Sequence, residues 1–307
     1  MATGILSVGL GLLGYEGVSR VLLGVAGVAW LVLAAAFVNR FVGERTHWEA
    51  DADTPAALTA VAATTVLGTR FTGLGWRPLG AALLALAVVL WPVLLTFVLR
   101  HLGRRMPGVV FLVCVATEGI AVLAGTLAAA WPAPWLARAA LVFFVLGFAL
   151  YAAVFPRFGL HYVRDGAGDQ WVAGGALAIS ALAGAKLVGA KLAGTELVGP
   201  AIFEGAAHDV LRTVTLVVLA LDLTWYAVLL CAELRWPRPH YDVRRWATVF
   251  PMGMTAVATL SVATAAQVPW LTRPGQVLLW IALAAWLLTL AGLLRRAARA
   301  PRPGPRS

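Results

Sequence analysis

The sequence predicts an all-α membrane protein with ten transmembrane helices arranged as five helical hairpins. Three observations support this fold class. Hydrophobic residues make up 61% of the 307 residues and charged residues only 12%, whereas about one quarter of a soluble domain is charged. Apolar runs long enough to cross a hydrocarbon layer of roughly 30 Å recur along the whole chain. Short charged breaks and Pro/Gly clusters separate these runs.

Local signals support several of the helix starts. Asp53-Thr54-Pro55 supplies a cap followed by proline in the first turn of the third span, and Met106-Pro107-Gly108 marks a similar break before the fifth. The first span is too short to cross a bilayer, so either this helix starts below the membrane surface or further residues precede Met1, and we favour the second. The predicted spans are 2–14, 18–39, 55–70, 78–100, 108–129, 135–155, 170–190, 208–232, 246–268 and 275–294.

The charge distribution predicts the orientation of the chain. The net charge is +10, but the basic residues lie between apolar runs and on the tail, which indicates topological charge rather than nucleic-acid binding. If both termini are cytoplasmic, the inner loops and the tail hold 16 of the 24 Lys and Arg residues. We therefore predict one transmembrane domain, 1–294, and a basic cytoplasmic tail, 295–307, in a bacterial cytoplasmic membrane. Arginine far outnumbers lysine, a usage typical of GC-rich bacterial genomes.

Leucine separates the ten spans into two kinds. The even-numbered spans contain 31 leucines and the odd-numbered spans only 13, while the odd spans are rich in Gly, Ala, Ser and Thr. Small residues allow helices to approach closely, so we expect the odd helices to lie inside, lining a central pore, and the even helices to lie outside. The alternative is that the small residues mark tight packing without a pore.

Two basic residues occupy repeat-equivalent positions. Arg70 follows Gly68 by two residues in the third span, and Lys186 follows Gly184 by two residues in the seventh, 116 residues later. This separation equals two hairpins and supports a fivefold hairpin repeat. At the outer ends of inner helices, these cations would attract anions to a pore mouth. Snorkelling of each side chain to the lipid headgroups is the alternative.

Two carboxylates lie near the middle of predicted spans, where an ionised group is costly and normally faces a cavity or a partner. Glu118 lies on an inner helix and is a candidate proton acceptor, although a neutral carboxyl or a pair with Arg70 or Lys186 fits equally well. Asp222 lies on an outer helix, where we expect an interhelical or intersubunit hydrogen bond.

An enzyme is the competing functional class, and the sequence argues against it. The five histidines lie singly at loops or helix ends and form no ligand set for a metal. Neither a nucleophile motif nor a nucleotide-binding glycine loop occurs. We therefore expect neither catalytic residues nor a cofactor.

The ninth span resembles the signature helix of the tellurite-resistance/dicarboxylate transporter family, which includes the plant guard-cell slow anion channels. Weaker similarities extend over nearly the whole chain. The matching stretches are Trp246-Ala247-Thr248-Val249-Phe250-Pro251-Met252-Gly253-Met254, Met1-Ala2-Thr3-Gly4-Ile5, Ala63-Thr64-Thr65-Val66-Leu67-Gly68, Val115-Ala116-Thr117 and Leu182-Ala183-Gly184-Ala185-Lys186.

This resemblance implies a homotrimer in which each subunit has its own pore, formed by the odd helices. It also implies that Phe250 is the gate and that Pro251 kinks the ninth helix beside it. The residues expected to line the pore are Thr3, Thr64, Thr65, Thr117, Glu118, Ser180, Gly253 and Thr255.

The predicted function is the passage of small anions, such as C4-dicarboxylates, tellurite-type oxyanions or inorganic anions, through a pore gated by an aromatic residue. A proton-coupled carboxylate carrier that uses Glu118 is one alternative, because a negative group in an anion path repels the substrate unless it is protonated. A membrane scaffold without a pore is the other.

Overall fold

The computed structural model describes residues 1–43, 54–100, 103, 106–131, 133–189, 205–237 and 241–299. Within these ranges the chain contains ten helices of eleven or more residues, several of them preceded by a 3₁₀ turn, and no strand. They are α1 (Ala2–Leu12), α2 (Glu16–Gly43), α3 (Thr59–Gly73), α4 (Arg77–Arg100), α5 (Leu112–Ala130), α6 (Pro134–Val154), α7 (Val172–Gly189), α8 (Gly205–Arg235), α9 (Trp246–Ala265) and α10 (Thr272–Arg299).

Each predicted span corresponds to one of these helices, and the largest difference is at the end of α10, Arg299 instead of 294. The first residues of the predicted tail therefore continue α10, while 300–307 lie outside the described residues. Eight of the helices are long and apolar enough to cross a membrane. The other two are α1, which is apolar but has only 11 residues, and α3, which has 15. The chain is therefore a multi-pass membrane protein.

The odd-numbered helices form a closed inner ring. Each of α1, α3, α5, α7 and α9 packs against the next odd helix, and α9 packs against α1. Each even helix packs against the odd helix of its own hairpin and against the odd helix of the following hairpin, and α10 closes this outer layer by contacting α1. The hairpins are thus arranged in sequence around one axis.

Burial separates the two layers. In the most apolar stretches of α5, α7 and α9, 94%, 89% and 83% of the residues are buried, whereas the corresponding shares in α2, α4 and α10 are 11%, 17% and 11%. The leucine-rich helices thus lie outside because leucine suits contact with lipid. The expectation of inner odd helices and outer even helices agrees with this arrangement.

Glycine allows the inner helices to come close together. A Cβ atom at Gly119 of α5 would lie 2.5 Å from Thr65 Oγ1 of α3, and one at Gly175 of α7 would lie 2.9 Å from two ring atoms of Pro251 in α9. A larger side chain at either position would push neighbouring inner helices apart, so the ring depends on these contacts.

The bundle has two distinct ends. At the hairpin end, the short connections 13–15, 74–76 and 266–271 join the two helices of a hairpin. At the opposite end, polar contacts connect the starts of three neighbouring inner helices. The buried Asp169 carboxylate before α7 accepts a hydrogen bond from the backbone N–H of Gly108 before α5, at 3.0 Å. The hydroxyl of Thr248 in α9 donates to the Gly168 carbonyl, at 3.2 Å.

Candidate functional site

A narrow cavity lies on the axis of the inner ring and contacts all five odd helices. Its volume is about 10 Å³, which is the room that one water molecule needs. The wall is apolar except for two hydroxyls, which donate to carbonyls of their own helix. The cavity is lined by Ile5 and Val8 of α1, Thr65, Val66 and Thr69 of α3, Gly119 and Val122 of α5, Ile179 and Leu182 of α7, and Met254 of α9.

Phe250 lies on α9 one helical turn before Met254, on the same face as that cavity-lining residue. Its side chain is 2% exposed. The following residue, Pro251, lies inside the helix and has no N–H to donate, so the local hydrogen-bond ladder of α9 is interrupted beside Phe250. Pro251 packs against Gly175 of α7. A bulky ring and a break in the helix thus occur together near the cavity.

Arg70 follows the cavity-lining Val66 by one turn, but its charge is paired. Its Nη2 atom lies 2.5 Å from Glu16 Oε2, at the start of α2, and the Arg70 side chain is buried. The guanidinium covers Gly11 of α1, where a Cβ atom would lie 2.6 Å from Nη1. The partner of Arg70 is thus Glu16 and not Glu118, the carboxyl that the sequence offers as a candidate partner.

Lys186 follows the cavity-lining Leu182 by one turn and is half-buried. Its Cβ atom packs against Gly125 of α5, where an added Cβ atom would lie 3.0 Å from it. In contrast to Arg70, Lys186 has no ion pair within the part of the chain that the structure describes. Its ammonium group is therefore the more available of the two cations.

Three of the predicted pore-lining threonines have their hydroxyls at outer helices rather than on the cavity. In each case an indole N–H of an outer helix donates to a threonine of the next inner helix, so the contact joins two consecutive hairpins. The pairs are Trp30 with Thr64 at 2.9 Å, Trp91 with Thr117 at 2.8 Å, and Trp286 with Thr3 at 3.0 Å.

Thr255 also points to an outer helix. Its hydroxyl donates to Asp222 Oδ1 of α8, at 3.1 Å, which is the interhelical hydrogen bond expected for Asp222. Ser180 donates to the Ala176 carbonyl of its own helix, and Gly253 packs against Ile5 of α1. Among the predicted pore-lining residues, Thr65 is the one that lies on the cavity wall.

Glu118 is fully buried, and its side chain points away from the cavity. A Cβ atom at Gly147 of α6 would collide with Glu118 Cγ, so the carboxyl lies between α5 and the outer helix of the same hairpin. Neither carboxyl oxygen has a hydrogen-bond partner among the described residues, although Ser180 of α7 and Cys114 are nearby. Consecutive residues differ by about 100° around a helix axis, so Glu118 faces another direction than the cavity-lining Gly119.

Glu16 and the three indole donors are not among the site residues predicted from the sequence. Glu16 is separated from Arg70 by 54 residues, and nothing local to either residue indicates the pairing. The tryptophans carried a usable signal, since a buried indole N–H needs a partner and threonines dominate the polar residues of the odd spans.

Residues 1–294 match the profile of the voltage-dependent anion channel family. The chain belongs to this family. The match covers all ten helices up to the last residues of α10, and it agrees with the resemblance to the transporter family of the slow anion channels. No curated protein and no solved structure matches the chain significantly. Membership of the anion channel family gives the coarse activity, anion transport across a membrane, and favours a channel or transporter over an enzyme.

Proposed function

We propose that this member of the anion channel family passes small anions along the axis of its inner ring, and that Phe250 is the gate. The observation that carries the proposal is the central cavity, which is in contact with all five inner helices and has room for a single water molecule. A path this narrow is closed to a hydrated anion, so an obstructing side chain must move before ions pass.

Phe250 is the obstructing side chain that fits this requirement. It lies one turn from the cavity on the face of Met254, and Pro251 beside it weakens the hydrogen bonding that would hold α9 rigid. Replacing the benzyl side chain of Phe250 with a methyl group would remove the phenyl ring and widen the path. Because the wall of the cavity is mostly apolar, it would bind an anion only weakly, and weak binding allows the anion to leave the path.

Lys186 is the cation that we assign to the hairpin-end mouth of this path. Arg70 shares the mouth, but Glu16 offsets its charge. Within the described chain Lys186 has no ion pair, and an unpaired cation at the opening of a low-dielectric path raises the local anion concentration.

Flux through reconstituted vesicles tests the gate. We expect Phe250→Ala to raise the efflux of chloride, nitrate, malate or tellurite well above that of the wild-type chain, and Phe111→Ala to leave it unchanged. Phe111 is an equally buried phenylalanine before α5 that packs on Tyr151 and Phe158, so this control separates gate removal from a general packing defect. If neither wild type nor Phe250→Ala carries anion flux, the proposal is wrong and the scaffold alternative is favoured. The anion panel identifies the substrate class.

A proton-coupled carboxylate carrier is the second candidate, because Glu118 is a fully buried carboxyl without hydrogen-bond partners within the described chain. Its place between α5 and α6 means that a proton there would act through the packing of these helices. Malate or succinate uptake driven by a pH gradient, and abolished by Glu118→Gln, would favour this carrier. Uptake that is independent of the gradient would count against it.

The remaining proposals concern placement. We propose ten membrane crossings by a single domain, 1–294, with both termini and the tail 295–307 on the cytoplasmic side of a bacterial membrane, and assembly into homotrimers. Light scattering in detergent gives the subunit number. Labelling of Arg299→Cys in intact cells and in inverted vesicles tests the side of the C-terminus, since reaction from outside would contradict the topology.

A further inference from the structure

A groove lies along the outer helix α2, and none of its lining residues lines the central cavity. The volume of the groove is about 560 Å³. One wall is a face of α2, and the other comes from the end of α3 and the turn that leads to α4. The groove is lined by Arg20, Leu23, Gly24, Gly27, Val28, Leu31, Phe71, Leu74 and Trp76.

Two glycines open the groove along α2. A Cβ atom at Gly24 or Gly27 would meet nothing within 4 Å, so side chains at these positions would project into open space. Apart from Arg20 the lining is uncharged. The slot is therefore shaped for a slender apolar chain.

The length of the groove matches one leaflet of a bilayer. Arg20 and Leu31 are eleven residues apart on α2, which corresponds to about 16 Å along the helix axis. Half of a hydrocarbon layer of roughly 30 Å is about 15 Å. An acyl chain that enters beside Arg20 would thus run along the glycines to the depth of Leu31.

The polar end of the groove carries a cation and an amphipathic ring. The Arg20 side chain is 68% exposed, and its one ion pair in the described chain is a distant contact of Nε with Glu16, at 3.7 Å. Its terminal nitrogens remain available for a planar, two-pronged contact with a phosphate. Trp76 is exposed at the same end and stacks on Phe71, the arrangement of an aromatic residue at a headgroup boundary.

We propose that this groove binds one phospholipid, with its phosphate on Arg20 and an acyl chain along Gly24 and Gly27. Charge complementarity, the leaflet-length slot and the position of Trp76 select a lipid rather than a helix of a second copy. The site is independent of the ion path, so it stands or falls separately from anion transport.

Native mass spectrometry of the purified full chain tests the site with two probes, dioleoylphosphatidylglycerol and dioleoylglycerol, which lacks the phosphate. We expect one phosphatidylglycerol per chain to be retained, and Arg20→Gln or Gly27→Leu to weaken its binding about tenfold. Gly27→Leu should fold because a Cβ atom at this position meets nothing within 4 Å and the side chain would project into the groove. Val25→Leu and Arg273→Gln are matched controls on exposed positions that do not line the groove, and both should bind as wild type.

Equal retention of the two probes would overturn the assignment, because it would show no role for the phosphate. Unchanged binding in Arg20→Gln and Gly27→Leu would overturn it as well. A photoreactive benzoylphenylalanine in place of Val28 identifies the occupant in vesicles of phosphatidylglycerol and phosphatidylethanolamine. Lipid adducts support the proposal, and adducts between two protein chains would show a second copy in the groove instead.

Discussion

The α3 side and the α7 side of the inner ring carry the same glycine-then-basic motif but place it in different surroundings. On α3, Arg70 is paired with Glu16, and the Thr64 hydroxyl accepts the indole N–H of Trp30. On α7, Lys186 has no ion pair in the described chain, and two fully buried carboxyls flank the helix.

These carboxyls are Glu118, beside Ser180 of α7, and Asp222, whose Oδ1 would lie 3.9 Å from a Cβ atom at Gly174. Both retain oxygens without partners in the described chain. On the α3 side, the Thr64 hydroxyl and Arg70 Nη2 thus have partners, although the buried Arg70 Nε has none in the described chain. The α7 side has two buried carboxyls with unpartnered oxygens and a lysine without an ion pair in the described chain. We infer that α3 is the fixed side of the ring and that α7 is the side whose packing responds to ions or protons.

The largest predicted effect concerns the contact of Glu118 with α6. Gly147→Ala places a methyl group where Glu118 Cγ lies, and overpacking of this kind destabilises by about 1–3 kcal/mol. Equilibrium unfolding in mixed detergent micelles measures the loss. Glu118→Ala combined with Gly147→Ala should recover most of it, and additive effects of the two changes would show that the contact does not exist.

Asp222 provides the next test. Thr255→Val removes the hydrogen bond that the buried Asp222 carboxyl accepts within the described chain, and leaving such a group unsatisfied costs about 1–3 kcal/mol. Thr259→Val is the matched control, because that equally buried hydroxyl donates to a carbonyl of its own helix. The same unfolding assay should separate the two variants, and equal losses would contradict a special role for the Asp222 contact.

The two cations differ in their expected effect on transport. Lys186→Gln should lower anion flux about tenfold at low ionic strength, whereas Arg70→Gln should lower it less because Glu16 already offsets that charge. Flux is measured in the Phe250→Ala chain so that the gate does not limit it. Arg273→Gln, an exposed arginine at the start of α10, serves as the control. If Arg70→Gln lowered anion flux more than Lys186→Gln did, Arg70 and not Lys186 would be the cation that attracts anions.

We expect the smallest loss of stability when a hydrogen bond between two uncharged side chains, an indole and a threonine, is removed. Trp30→Phe removes one indole donor to Thr64, and hydrogen bonds between membrane helices average about 0.6 kcal/mol. The Thr64 hydroxyl still donates to the Ala60 carbonyl, so no buried group is stranded. The exposed Trp135→Phe gives the baseline for tryptophan loss in the unfolding assay. If Trp30→Phe destabilised the protein as much as Thr255→Val does, the proposed difference between the α3 and α7 sides of the inner ring would be wrong.

Hydropathy and leucine usage were sufficient to predict the helices and their two layers, because lipid contact and close packing select different residue types. The rotation of each inner helix could not be predicted in the same way. Inner helices are buried on every face, so no polar stripe marks which residues point to the axis. Thr64 and Thr65 illustrate this point, since only the second reaches the cavity. Glu118 was placed on the pore for the same reason, one residue away from Gly119, which does line the cavity.

The two shortest helices, α1 and α3, belong to the inner ring, and the three longest, α2, α8 and α10, belong to the outer layer. α1 has 11 residues and α9 has 20, which correspond to about 16 and 30 Å, whereas α2 and α8 have 28 and 31 residues and reach about 42 and 46 Å. We infer that water enters both ends of the bundle and that the membrane potential falls mainly over the constricted middle. An anion that crosses this short segment gains or loses about 2.3 kcal/mol for each 100 mV, so the driving force is delivered almost entirely where Phe250 lies.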